Sequence, residues 1–244
     1  MGCHCDTRVS QLRGLRGILL CLLSALTLSG PAVFAASLNG KLTLASGYNF
    51  RGMDRSGTGP IPQGTVRVTL PKGLFAGVWA SKLDLDDNTG RTREMDFFAG
   101  ATFPMSETFS ASLSVNRYTF NQKNAGHDYD WTEVAARLFV GSRSSVSIAR
   151  GEGWLGNDSQ SHVLDARHIL PLGQHYTADL TLGYVDLEEA LDLSYWYYQA
   201  GISRSFDAWS LRAHVVASSS ELRDRLGGRG EAQLVFTLNY HFGW

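Results

Sequence analysis

The stretch Glu231–Trp244 reads EAQLVFTLNYHFGW. Leu234, Phe236, Leu238, Tyr240, Phe242 and Trp244 occupy the even positions. Gln233, Val235, Thr237, Asn239, His241 and Gly243 lie between them. Such period-2 alternation gives a strand one apolar face and one mostly polar or small face. Two architectures use a strand of this kind. A sheet in a water-soluble domain buries the apolar face and wets the other. A membrane barrel turns the apolar face to lipid and keeps the polar face for its interior. The rest of the chain decides between them.

At the other end, Arg8, Arg13 and Arg16 precede an apolar run from Ile18 to Leu28, then Gly30-Pro31 and Val33-Phe34-Ala35. A basic start, about a dozen apolar residues and a small residue to cut after describe a secretory signal peptide. The run is shorter than the roughly 20 residues that a membrane-spanning helix needs. Residues 1–35 are therefore expected to be a cleaved leader, and residues 36–244 the exported domain. Arg13 and Arg16 are not adjacent, and no small residue precedes Cys21, so neither a twin-arginine signal nor a lipoprotein is expected. All three cysteines (Cys3, Cys5 and Cys21) fall in the leader, so disulfides cannot stabilise the remainder. Three arginines and one aspartate of the 22 basic and 23 acidic residues also fall there, which leaves a formal charge of −3. That balance gives no basic excess for nucleic acid. A near-neutral overall hydropathy with no long apolar run beyond the leader excludes a helical membrane protein. A β-barrel stays open, because its signal is spread over alternating segments of about ten residues.

Alternation recurs along the whole domain. Leu42 and Leu44 oppose Lys41 and Thr43, Val66 and Val68 oppose Arg67, and Met95 and Phe97 oppose Glu94 and Asp96. Further on, Leu113 and Val115 oppose Ser112 and Ser114, Val134 and Leu138 oppose Glu133 and Arg137, and Leu180 and Leu182 oppose Asp179. The third segment is apolar on both faces (Phe75, Trp79 and Leu83 on one, Leu74 and Val78 on the other). In the fifth, Arg117 followed by Tyr118 and Phe120 suggests a slip of parity at a bulge. The count is about twelve strands, least certain around residues 143–170.

The connections alternate in length. The even-numbered ones are tight, at Pro71-Lys72-Gly73, Pro104-Met105-Ser106, Gly141–Ser144, Pro171-Leu172-Gly173 and Phe206-Asp207, and the odd-numbered ones are longer and polar. Short turns at one end and long loops at the other are the asymmetry of an outer-membrane barrel. Aromatic residues bunch at strand ends, as the two girdles at the lipid–water boundaries require. Tyr48, Phe50, Tyr118, Phe120, Tyr129, Trp131, Tyr184 and Tyr195–Tyr198 are expected at the outer rim. Phe75, Phe103, Phe109, Tyr176, Phe206, Trp209, Phe242 and Trp244 are expected at the periplasmic rim. The fold class that follows is all-β, a transmembrane antiparallel up-and-down barrel of about 12 strands in the bacterial outer membrane.

Ser46-Gly47-Tyr48-Asn49-Phe50-Arg51-Gly52, then Pro62-Gln63-Gly64, then Gly73-Leu74-Phe75-Ala76-Gly77-Val78-Trp79-Ala80-Ser81, together resemble the TorF family of proteobacterial porin-like proteins. Asp128-Tyr129-Asp130-Trp131-Thr132-Glu133 is similar to a further segment of that family. Gly47 stands where the family has an acidic residue, and Phe75 where it has tyrosine. The resemblance implies an outer-membrane barrel with a porin role; the family has no established substrate.

Charged residues on the non-lipid faces are the candidates for function. They are Lys41, Arg51, Arg67, Glu94, Asp96, Glu133, Arg137, Asp165, Arg167, Asp179 and Arg212. Lining a narrow pore, this mixed-charge set would govern the passage of small polar solutes. Paired across strands, it would plug the interior. A barrel of about twelve strands permits both, since about eight strands enclose only side chains and about sixteen leave a channel. Arg51 itself is open to two roles, selectivity at the outer mouth or a clamp holding the first loop. Tyr240, Phe242 and Trp244 are expected to close the barrel and to signal its assembly. A structural or adhesive barrel is the alternative to a channel, and an outer-membrane hydrolase is a more remote one. The six histidines beyond the leader show no His-x-Ser pairing and no i, i+2 metal spacing, and no G-x-S-x-G occurs. The protein is thus expected to be no enzyme and to need no cofactor or metal. Its expected partners are outer-membrane lipid and lipopolysaccharide, the barrel-assembly machinery and small polar solutes.

Overall fold

The computed structural model describes residues 36–56, 59–83, 92–121, 129–154, 158–226 and 228–244. The expected leader lies outside the described residues. The strands are β1 (Ser37–Ala45), β2 (Asn49–Phe50), β3 (Met53–Asp54), β4 (Ile61–Thr69), β5 (Leu74–Lys82), β6 (Arg93–Pro104) and β7 (Phe109–Phe120). They continue as β8 (Trp131–Val140), β9 (Ser144–Glu152), β10 (Gln160–Pro171), β11 (Tyr176–Asp186), β12 (Ser194–Phe206), β13 (Trp209–Ser218) and β14 (Gln233–Gly243). Two short helices, α1 (Glu188–Leu191) and α2 (Ser220–Leu226), sit in the last two long connections. Twelve strands form a closed antiparallel barrel in the order β1-β14-β13-β12-β11-β10-β9-β8-β7-β6-β5-β4, and β2 and β3 form a separate hairpin. Barrel strands of 9 to 13 residues match the length that crosses a bilayer at a tilt.

Closure joins the first strand to the last. Lys41 pairs with His241, Leu42 with Tyr240 and Leu44 with Leu238. The seam ends with Leu38 and Trp244 exchanging backbone N–H···O bonds of 3.0 and 3.1 Å. The tip of the Phe242 ring lies over Gly40, where any Cβ would collide with it. With no edge left, every ladder group is paired inside the sheet.

Outward positions carry the apolar alternation. Leu42, Leu113, Val134, Ile148, Leu180 and Phe236 are each at least half exposed. An apolar surface running round the whole barrel is far larger than a water-soluble monomer presents, and it is what a bilayer-spanning barrel shows to lipid. At the end holding Ser37 and Gly243 (the terminal end), Phe103, Phe109, Tyr176, Phe206, Trp209 and Trp244 are exposed outward as a girdle. Tight turns join the strands there; at Pro71–Gly73, Lys72 (φ 64) and Gly73 (φ 78) both adopt the left-handed region.

Three expectations are corrected, two of them at the opposite, loop end. No parity slip or bulge occurs at Arg117, because the β6–β7 register runs unbroken from Glu94↔Phe120 to Pro104↔Ser110. Arg117 points outward, 3.5 Å from Asp130, while Tyr118 and Phe120 continue the inward face of Ser112 and Ser114 and are buried. The outer-rim aromatics are also divided between the faces. Tyr48, Tyr118, Phe120, Trp131, Tyr195 and Tyr197 are buried inside, and Trp196 and Tyr198 face out. Finally, β5 turns Leu74 and Val78 outward and Phe75, Trp79 and Leu83 inward, so Phe75 leaves the terminal girdle. One cause accounts for the first two: an element inside the barrel needs apolar partners on the wall, whereas Phe75 packs inward against Phe98 and Arg67.

Candidate functional site

That element is the connection from β1 to β4. It leaves the wall after Ala45, folds inward through Tyr48, and turns at Arg51-Gly52 between β2 and β3. Both turn residues have positive φ, 53° at Arg51 and 81° at Gly52, as a two-residue type I′ hairpin requires. A Cβ on Gly52 would stand 2.5 Å from Cβ of Tyr197 on β12, so only glycine permits this approach. The hairpin is tied to β14 and to the loop that precedes it. Asp54 N–H donates to the Arg229 carbonyl (2.8 Å), Asn49 Nδ2 donates to Gln233 Oε1 (2.8 Å), and Gln233 Nε2 also donates to Asp54.

Two ion pairs fix the remaining sides. Arg51 Nη2 lies 2.7 Å from Glu133 Oε2 on β8, and Arg55 Nη1 lies 2.9 Å from Glu94 Oε1 on β6. Tyr48 Oη donates to Glu94 Oε2 (3.1 Å) and Tyr118 Oη to Glu133 Oε1 (3.4 Å). Side-chain exposure is 7% for Arg55 and 0% for Glu94, so neither charge is hydrated. Burial works against the Arg55 charge, but Glu94 and the neighbouring acidic groups together outweigh it and raise the guanidinium above its ordinary value. Aromatic packing completes the contact. Trp131 stacks on Tyr118 at 4.2 Å, Phe50 meets both edge-on, and the Arg55 guanidinium lies 4.1 Å from the Phe50 ring centre. Touching β6, β8, β12 and β14, the hairpin spans the interior of the loop-end half.

The terminal-end half is different. Lys41, Arg137 and Arg167 occupy inward positions and are nevertheless exposed to solvent. Arg67 is half-buried, its guanidinium 4.0 Å from the Phe75 ring centre. Arg212 reaches from β13 across Gly201 on β12 to Asp179 on β11, donating from Nε (3.1 Å) and Nη2 (2.7 Å). Gly201 makes this possible, since a Cβ there would lie 3.0 Å from Arg212 Nη2. Asp165 accepts from Ser147 Oγ (2.8 Å) and lies 3.9 Å from Arg137.

The structure thus puts ten of the eleven charged candidates on inward wall positions and brings Arg51 to Glu133 from the hairpin. Asp96 sits half-buried on β6, one inward position from Glu94. Arg55 and Tyr48 were missed as site residues. Arg55 falls in a polar loop, and only the Arg51-x-x-x-Arg55 spacing beside inward-facing glutamates hints at its partner. Tyr240 and Trp244 lie on the outer surface of the closing strand, exposed, with Phe242 between them half-buried over Gly40.

No curated protein matches the sequence. By structure the chain is similar to the KdgM porin, with a TM-score of 0.53 at 9% identity, covering 84% of this chain and 99% of that one. The KdgM porin in complex with disordered oligogalacturonate gives 0.52 at 9% identity, over 84% and 98%. The outer membrane protein OprD from Pseudomonas aeruginosa is more distant, at 0.40 and 12% identity over 85% and 65%. Identities this low show a shared fold in the KdgM case and nothing finer. Residues 29–239 match the model of a family described as a bacterial protein of unknown function, Gcw_chp, and the chain belongs to that family.

Proposed function

We propose that the protein is a channel of the bacterial outer membrane, exported behind a leader of residues 1–35, that passes small polar solutes without chemically changing them. One observation carries this reading: the inward face is buried at the loop end, whereas at the terminal end it holds charges exposed to solvent, at Lys41, Arg137 and Arg167. Charged side chains left wet inside an apolar-walled barrel describe an aqueous vestibule rather than a packed core. With an exported N-terminus, the terminal end faces the periplasm and the long loops face outward, among the lipopolysaccharide. The hairpin then narrows the outer mouth. The 46–81 segments that resemble the TorF family support the porin role, as does the fold shared with the KdgM porin.

The hairpin also favours a second reading, a barrel closed for good that serves a structural or adhesive role. Single-channel conductance of the isolated protein in planar bilayers separates the two. Stepwise conductance is expected; a folded, heat-modifiable barrel that never conducts, in wild type or with the hairpin's ion pairs removed, overturns the channel. Two serine–histidine contacts keep the hydrolase alternative testable, Ser144 with His168 (2.8 Å) and Ser210 with His241 (3.1 Å). Among the described residues neither imidazole is bonded to a carboxylate that would orient it as a base. Hydrolysis of phospholipid or lipopolysaccharide by the isolated protein, abolished in Ser144→Ala or Ser210→Ala, would restore that alternative.

A further inference from the structure

We infer that the terminal-end vestibule is a binding and selectivity site for small organic anions that carry carboxylate or phosphate oxygens. The transport half of this inference rests on the channel reading; the binding half does not. Among the described residues, the inward charges of that half are Lys41, Arg67, Arg137, Arg167 and Arg212 against Asp165 and Asp179, an excess of three cations. They stand on β1, β4, β8, β10 and β13, and so surround the interior rather than cluster on one side. Arg212 and Arg167 both act electrostatically on Lys41, so the three cations share one space although they come from three strands. Like charges gathered on a low-dielectric wall focus their field into the cavity, and a mobile counter-ion is what relieves them.

The arrangement is prepared rather than incidental. Asp179 takes two of the five Arg212 N–H donors and fixes the plane of the guanidinium, leaving the others for a ligand. The loop-end half has the opposite wall charge. Glu94, Asp96 and Glu133 line it, and it is Arg51 and Arg55 of the hairpin, not the wall, that offset them. An anion entering from the terminal end therefore meets a basic wall up to the hairpin and an acidic wall behind it.

The test uses the full exported chain, folded in detergent, titrated with citrate, with inorganic phosphate and with choline as cationic control. Calorimetry is expected to show citrate binding, weaker phosphate binding and no choline binding. Citrate affinity should fall by about tenfold or more in K41Q/R167Q and stay unchanged in R93Q, which lies on the outer surface. Heat-modifiable migration checks that each variant is folded. Absence of citrate binding, or equal binding by wild type and K41Q/R167Q, overturns the inference. In planar bilayers under a salt gradient, the sign of the reversal potential should report anion preference and should invert in K41E/R167E. A conducting channel that prefers cations overturns the selectivity while leaving the channel intact. A barrel that binds citrate and never conducts supports the anion site and overturns the channel.

Discussion

Replacing Arg55 by alanine should open the barrel. In the closed arrangement the Glu94 carboxylate is fully buried, and the Arg55 guanidinium at 2.9 Å is its only ion-pair partner among the described residues. Removing one member of such a pair costs about 3–5 kcal/mol, because the other charge stays buried and uncompensated. With the hairpin withdrawn, water would hydrate Glu94, so the cost falls almost wholly on the closed arrangement. At about 1.4 kcal/mol per decade, the ratio of open to closed should rise by roughly two to three and a half orders of magnitude. Single-channel open probability reads this directly, and protease cleavage within residues 48–55 reads it without current. The double variant R55A/E94A leaves no charge stranded and should recover most of the closed population. If R55A is as closed as wild type, or the double variant is as open as R55A, the ion pair does not hold the hairpin and the reasoning fails.

Four further expectations follow from other contacts. Trp131→Ala should destabilise the barrel by about 3–5 kcal/mol in denaturant unfolding, since it removes the ring that stacks on Tyr118 and Phe120 and meets Phe50 edge-on; a loss under about 1 kcal/mol would mean the interior cluster adds little. Leu113→Lys, on the outer face, should cost about 2–4 kcal/mol in a bilayer while the inward Ser114→Lys costs far less, and equal costs would refute the assignment of faces. Gly201→Ala should push Arg212 off Asp179 and weaken citrate binding without loss of the folded barrel, an effect that unchanged affinity would exclude. Deletion of Phe242–Trp244 should block outer-membrane assembly and leave export intact, which normal insertion of the truncated chain would contradict.

What could be read from the sequence was whatever lipid demands. Leu42, Val134, Leu180 and Phe236 must be apolar because they face hydrocarbon, and the regular spacing of such residues gave the strand count and the closing partner. The hairpin left no comparable trace. Tyr118 and Trp131 are aromatic for the hairpin's sake, yet in a linear pattern they look the same as girdle residues. That is why Arg117, a cation at the rim facing outward, read as a slip of register. β5 was ambiguous for the same reason, with lipid on the Leu74 face and Tyr48 against Trp79 on the other. The inward charges were legible as a set, because alternation alone assigns them a face. Their pairing was not, since Arg212 with Asp179 and Arg55 with Glu94 are brought together only by the closed barrel.

The seam between β1 and β14 also sets the order in which the molecule can form. All the other neighbouring barrel strands are joined by one connection, so their pairing is local. The Thr43–Asn239 hydrogen bond instead links residues 196 positions apart. Loop-closure entropy and the dependence of rate on contact separation place such a contact last and make it slow. Until β14 arrives, β1 and β13 are two open edges of a curved sheet, each able to capture a strand from another chain. The interior suffers the same delay, because Asn49 and Asp54 of the hairpin are held by Gln233 of that last strand. Closing the wall and seating the hairpin are therefore one kinetic event, and a chain stalled before it has neither a sealed surface nor a finished interior.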